Sequence, residues 1–239
     1  MTEEKNNLTR RRLRTPRTAA VAGIVFAVLM IASLVLIRIS VPERLDDSAQ
    51  WLEEYAQRIS FAIGLIPFAG IAFLWFLGVI RDRLGDFEDR FFSTVFFGSG
   101  LLFICMTFVS SATAASLLSF YAIEPELLPQ TPTYAFNRLF MFQIINVYGL
   151  RMAGVFMLSL GTIWVQTKTM PRILVFLTYG LALVQLFGLN LSLWFSLAFP
   201  CWVFVISLAI LVFNFRQKKA KEASDPSGKG SPAEKTLLD

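Results

Sequence analysis

Histidine is absent from all 239 residues of this chain. That absence removes His-ligated zinc, bis-His haem, Ser-His and Cys-His nucleophile pairs and any imidazole proton relay. Cysteine is nearly as scarce, with Cys105 and Cys201 the only two. They are 96 positions apart, so no C-x-x-C metal or redox motif exists. Each falls in an apolar run and is expected to act as a small buried apolar residue. Charge is the third scarcity. From residue 173 to residue 215, 43 positions pass without a charged side chain, and further charge-free runs occupy 18–37, 59–80 and 91–123.

Runs of that length and polarity belong in a bilayer, because about 20 apolar residues of helix cross a hydrocarbon core of about 30 Å. The first three runs each hold one span and the fourth holds two, divided at Gly188 to Ser192, where Asn190 sits among turn-compatible residues. A further span lies between Arg138 and Lys168, apolar except for Arg151. The expected fold is all-α: a polytopic bundle of six transmembrane helices at about 18–37, 59–80, 95–118, 144–165, 173–189 and 193–215. A basic tail, residues 1–17, precedes this domain of 18–215. A polar, turn-rich tail, 216–239, follows it and is expected to be disordered.

The 22 Lys and Arg residues set the orientation. Fifteen fall in the N-terminal tail, the second and fourth connections and the near C-terminal tail, while Arg38, Arg44, Arg58 and Arg138 occupy the opposite side. Positive flanks stay cytoplasmic, so both termini are expected in the cytoplasm of a multi-pass protein of the cell membrane. An even span number requires the same result. The net charge of +5 thus follows from topology and needs no nucleic acid. Membrane lipids are the expected surroundings, and a membrane-protein partner or a second copy is the expected company. Thr9 to Arg14 loosely resembles a twin-arginine export signal, but the long apolar run and the missing cleavage site favour an uncleaved first span.

The connections are short. Ser40-Val-Pro-Glu43 fits a capping box with Pro in the first turn. After it, Leu45, Ala49, Leu52, Ala56 and Ile59 share a helical face opposite Asp46, Asp47, Glu53 and Glu54. This pattern predicts an external amphipathic helix between spans 1 and 2, with Trp51 and Tyr55 near the headgroups. It would serve as a shield over the span ends or as an acidic lid. In the connection from Arg81 to Arg90, Gly85 suits a helix end and Asp86 a helix start. Its acids lack EF-hand spacing, so no metal site is expected there.

Within the spans Arg151 is the single charge. It would snorkel to the headgroups, pair with an outer acid, or form a ligand site with Tyr148 and Gln185. Asn146, Gly149 and Ala153 line a different face of the same helix and suit close packing. The sequence leaves the rotation open. In the third span Thr107, Ser111, Ala115 and Ser119 recur every four positions, with Ser110 and Ala114 alongside. This is a packing stripe, or else a hydroxyl-lined path for a polar solute. Ala19, Gly23 and Ala27 form a similar row on the first span. Pro67 and Pro200 are expected to kink spans two and six.

No acid or lysine lies inside a span. A proton-driven pump ordinarily needs an intramembrane acid or histidine, and a Ser-Lys pair needs an intramembrane lysine. No catalytic residue, metal ligand or cofactor can be named. The residues favour a non-catalytic membrane component or accessory subunit. A carrier or pore for a small anionic solute is the alternative, and a lipid-acting enzyme using Glu53 and Glu54 is the second alternative.

Overall fold

The computed structural model describes residues 2–41, 50–84, 90–168, 170–188 and 193–224, with side chains from 18–41, 51–82, 91–168, 170–188 and 195–212. Among the described residues every regular element is helical. In chain order these are α1 (Thr2–Ser40), α2 (Gln50–Glu54), α3 (Ala56–Leu84), α4 (Arg90–Ile123), α5 (Pro132–Gln143), α6 (Leu150–Thr167), α7 (Arg172–Phe187) and α8 (Ala198–Ser224). Short 3-10 turns precede α5 and α8, and a π-helical segment, Ile144–Gly149, joins α5 to α6 without a break.

The chain is an all-α bundle, as its composition requires. Among the described residues five segments are long and apolar enough to cross a membrane: Thr18–Ser40, Ala56–Asp82, Phe91–Ile123, Pro132–Thr167 and Phe195–Val212. The segment Arg172–Phe187 is apolar but shorter, at 16 residues, or about 24 Å. Large apolar side chains cover the outside of the bundle. Phe68 is 64% exposed, Trp75 66% and Phe176 73%. Such a surface is a liability in water and the ordinary one in hydrocarbon.

Packing is organised around aromatic rings, to which five helices contribute. Phe73 of α3 lies 4.6 Å from Phe26 of α1 and 5.7 Å from Phe103 of α4, and Phe199 of α8 lies 5.6 Å from Phe156 of α6. Trp202 extends the cluster to Trp164 at 6.0 Å and donates from its indole to Thr178 of α7 at 2.9 Å. Tilted and edge-on pairs suit the aromatic quadrupole. In lipid, where no hydrophobic force separates helices from solvent, such van der Waals contact is a main source of cohesion.

Small residues bring the backbones together. Ala19, Gly23 and Ala27 of α1 are all buried, and a methyl at Gly23 would collide with the Ser207 hydroxyl of α8 and the Phe76 ring of α3. Between α6 and α7, a methyl at Gly154 would sit 2.9 Å from Leu186 Cγ and 3.1 Å from the Ala182 carbonyl oxygen. Gly149 and Ala153 are buried as well. Ser33 of α1 donates to the Ala62 carbonyl of α3 at 2.7 Å.

Several boundaries differ from the expectation. Helix continues from Pro132 through the region read as an external loop, because Pro132 suits a first turn and the apolar sequence from Tyr134 to Phe142 continues the helix. α1 includes the basic tail from Thr2, and α8 continues to Ser224. Pro200 is the third residue of α8, within the first turn where a missing N–H costs least. Cys105 and Cys201 are free and exposed on the bundle surface, where burial was expected. The helical faces that carry them point away from the ring cluster. The expected caps at Gly85 and Asp86, the acids Glu43, Asp46 and Asp47, and Asn190 lie outside the described residues.

Candidate functional site

One half of the bundle is filled by rings; the other is hollow. A partly open cavity of about 320 Å³ lies among α1, α2, α3, α4, α5, the π segment and the start of α8. Its deep end is apolar, formed by Met30, Ile66, Phe103, Leu150 and Pro200. Its other end carries two guanidinium groups, Arg38 from the last turn of α1 and Arg138 from α5. Thr107, Ser110, Ser111 and Asn146 supply the polar atoms between.

Arg138 is only 4% exposed, and aromatic groups position it. Its guanidinium lies 5.3 Å from the Trp51 ring centre and 5.7 Å from that of Tyr134, and its Nη1 donates to the Tyr134 hydroxyl at 3.4 Å. Trp51 in turn donates from its indole to the same hydroxyl at 3.1 Å. Cation-π contact strengthens where water is excluded. Trp51 and Tyr134 belong to a satellite core with Leu52, Ile59, Leu117 and Leu128, which seats α2 across this end of the cavity. Trp51 is therefore buried, and the described part of the helix it lies on, Gln50–Glu54, ends at Tyr55; the stretch before Gln50, where the rest of the amphipathic helix was expected, lies outside the described residues. Glu53 and Glu54 point outward and do not line the cavity. Outside the lid, a hydrogen bond and repulsion from Glu54 raise the Tyr55 phenol above its ordinary range, opposed in part by Arg58.

The stripe on α4 divides between packing and cavity. Thr107 is buried and donates to its own helix at the Phe103 carbonyl, 2.8 Å away. Ser110 crosses to α5 and donates to the Met141 carbonyl at 2.9 Å. Thr107 and Ser111 line the cavity, whereas Ala115 does not. Facing them is the π segment, where Leu150 N–H bonds five residues back to Ile145. The wider turn carries Ile145 and Asn146 to the cavity wall. Such insertions are frequent at functional sites.

Arg151, Tyr148 and Gln185 are not brought together at the cavity. Arg151 is half-buried and donates to the Val147 carbonyl at 2.7 Å, which occupies its head on the exit turn of the π segment. Tyr148 is 58% exposed on the outside. Gln185 is buried. With its amide turned to suit its neighbours, it donates to the Leu150 carbonyl of α6 and accepts from the Phe199 N–H of α8, both at 3.3 Å. The residue that counting missed is Arg138, which entered the sequence reading only as one of four outer cations. The available signal was its place within Phe136-Asn-Arg-Leu-Phe140, an apolar setting, four residues after Tyr134.

Among the described residues no group of three or more His, Cys, Asp or Glu could hold a metal ion. No protein-family model, no curated protein and no solved structure matches this chain.

Proposed function

We propose that this protein is a non-catalytic component of the cell membrane that holds a small, apolar-bodied ligand in the cavity capped by α2. The observation that carries this is the cavity itself. Its volume falls at the lower end of the roughly 300–1,000 Å³ range of small-molecule sites, and it joins an apolar interior to a few placed polar groups. Among the described residues the lining contains arginines, hydroxyls and an amide but no carboxylate, thiol or lysine to act as a base or strong nucleophile. Such a surface supports holding a molecule.

In this reading α7 is the sixth crossing, short enough that its flanks, Lys168 and Arg172 at one end, reach the interface by snorkelling. Both termini are cytoplasmic by the distribution of Lys and Arg, and the cavity opens in the outer half of the membrane. Extraction of the full chain in native lipids, followed by mass spectrometry, tests the proposal. The expected result is one retained small molecule per chain, lost in Ala114→Phe, which fills the cavity. A stoichiometric protein partner with no retained molecule would overturn ligand holding and favour an accessory subunit.

A carrier is the second reading, favoured by the hydroxyls of Thr107, Ser110 and Ser111 on the cavity wall. Below them Phe73, Phe103, Phe156 and Phe199 close the axis of the bundle, so transport would require these rings to part. A carrier working through Arg151, Tyr148 and Gln185 predicts that Arg151→Leu abolishes anion flux into vesicles while folded protein remains. Unchanged flux in that variant removes Arg151 from the mechanism.

A further inference from the structure

We infer that the cavity selects an apolar molecule that carries a hydroxyl group, held halfway along the cavity by Ser111 and the polar atoms beside it. The inference rests on the ligand-holding reading above and adds the chemical class. The lining on α4 runs from Phe103 to Leu117, about 21 Å of helix, and Ser110 and Ser111 lie midway. Phe103, Met30 and Ile66 make the wall apolar on the deep side, and Leu117 and Leu52 continue it on the other. The polar band between them, from Thr107 to Ser111, is about 6 Å deep, with Asn146 on the facing π segment. Arg38 and Arg138 are already engaged within the protein and are assigned no role in recognition.

The way the band uses its own protons sets the class. A hydroxyl has one proton to donate and two lone pairs to accept with. Thr107 commits its proton to the Phe103 carbonyl and Ser110 to the Met141 carbonyl, so toward the cavity both oxygens can only accept. Asn146 gives one N–H to the Phe142 carbonyl at 3.1 Å, which leaves its second N–H and its amide oxygen. Ser111 behaves differently from its neighbours. Elsewhere on α4, Ser99, Thr107, Thr113 and Ser116 each donate back one turn to a carbonyl of their own helix, the usual outlet for a hydroxyl within a helix. Ser111 has no hydrogen-bond partner among the described residues, is half-buried and lines the cavity. The band therefore offers four accepting oxygens, those of Thr107, Ser110, Ser111 and Asn146, against two uncommitted protons, on Ser111 and Asn146. A ligand hydroxyl both donates and accepts, and so answers both kinds of atom. An ether of the same body can only accept, and it leaves the oxygens of the band unanswered in a place with little water.

The full-length protein in phosphatidylcholine nanodiscs is titrated with decanol and with its methyl ether, and bound probe is read by native mass spectrometry against its concentration in the bilayer. We expect decanol to bind about three- to tenfold more tightly than the ether, the worth of one neutral hydrogen bond. Ser111→Ala is expected to abolish that preference, and Ser111→Thr, which keeps the hydroxyl, to retain it. Equal binding of alcohol and ether, both lost in Ala114→Phe, would overturn the hydroxyl class and leave the ligand-holding reading standing. A preference for decanol that persists undiminished in Ser111→Ala would overturn the assignment to Ser111. Binding of neither probe would overturn the inference as a whole, while retention of a native molecule by the full chain decides the ligand-holding reading separately.

Discussion

The two halves of this bundle are made from the same helices and are packed in opposite ways. Toward the end with Trp164 and Trp202, Phe26, Phe73, Phe76, Phe96, Phe156 and Phe199 are each 0% exposed and fill the space between α1, α3, α4, α6 and α8. Toward the other end α1, α3 and α4 continue, but Met30, Thr107, Ser110, Ser111 and Ala114 replace the rings, and the helices enclose a cavity. The difference lies in side-chain volume at the facing positions. Rings fill the space between the helices in one half, and small or flexible residues leave the other half open to a ligand. The filled half sets the geometry that the hollow half uses.

Removing a ring should therefore cost far more than changing the lid. Phe199→Ala deletes the ring that touches Phe26, Phe73, Phe103, Phe156 and Trp202. It should lower stability by about 3–5 kcal/mol, measured as the unfolding midpoint in detergent. A loss below about 1 kcal/mol would mean that the filled half is not what holds the bundle. Gly23→Val places three extra carbons against Ser207 and Phe76 and should cost about 1–3 kcal/mol by overpacking. It acts at the α1–α8 seam, and wild-type stability in that variant would show that the seam can open. Trp51→Phe keeps an aromatic face for Arg138 and removes the indole bond to Tyr134, a change of about 1 kcal/mol. Its larger effect should be on lid closure, seen as faster hydrogen exchange confined to α2 and the start of α5. Exchange that rises equally in the ring cluster would join the two halves into one cooperative unit and break the comparison.

Much of the scaffold was legible in one dimension. The charge-free runs located α1, α3 and α4, and the Arg172 to Arg216 stretch holds α7, which ends at Phe187, and most of α8; the expected break at Gly188 to Ser192 lies largely outside the described residues. The row of Ala19, Gly23 and Ala27 named a close seam because spacing by four puts small residues on one helix face. The site was less legible. Attention fell on Arg151 as the single charge inside a span, while Arg138 was counted with the loops. A window scaled to bilayer thickness starts the fourth span near Ile145, whereas the helix begins at Pro132 and 36 residues of it, about 54 Å, run through to Thr167. Length matched to the membrane does not mark where a helix starts. The π segment was invisible for a related reason: one extra residue in a turn shifts every later side chain around the axis, and no periodicity over so few residues registers it.

By itself the sequence determined the environment and the class of fold. Apolar length, missing charge and missing histidine are properties of composition along the chain, and transfer free energy depends on little else. What only the tertiary structure decided is which side chains share a space. Arg38 and Arg138 are 100 residues apart in the chain and line one cavity. Trp51 reaches Tyr134 across 83 residues, and Arg151 is engaged by its own helix. Those outcomes depend on helix rotation and on the volumes of facing residues, which are set by all the packed helices at once.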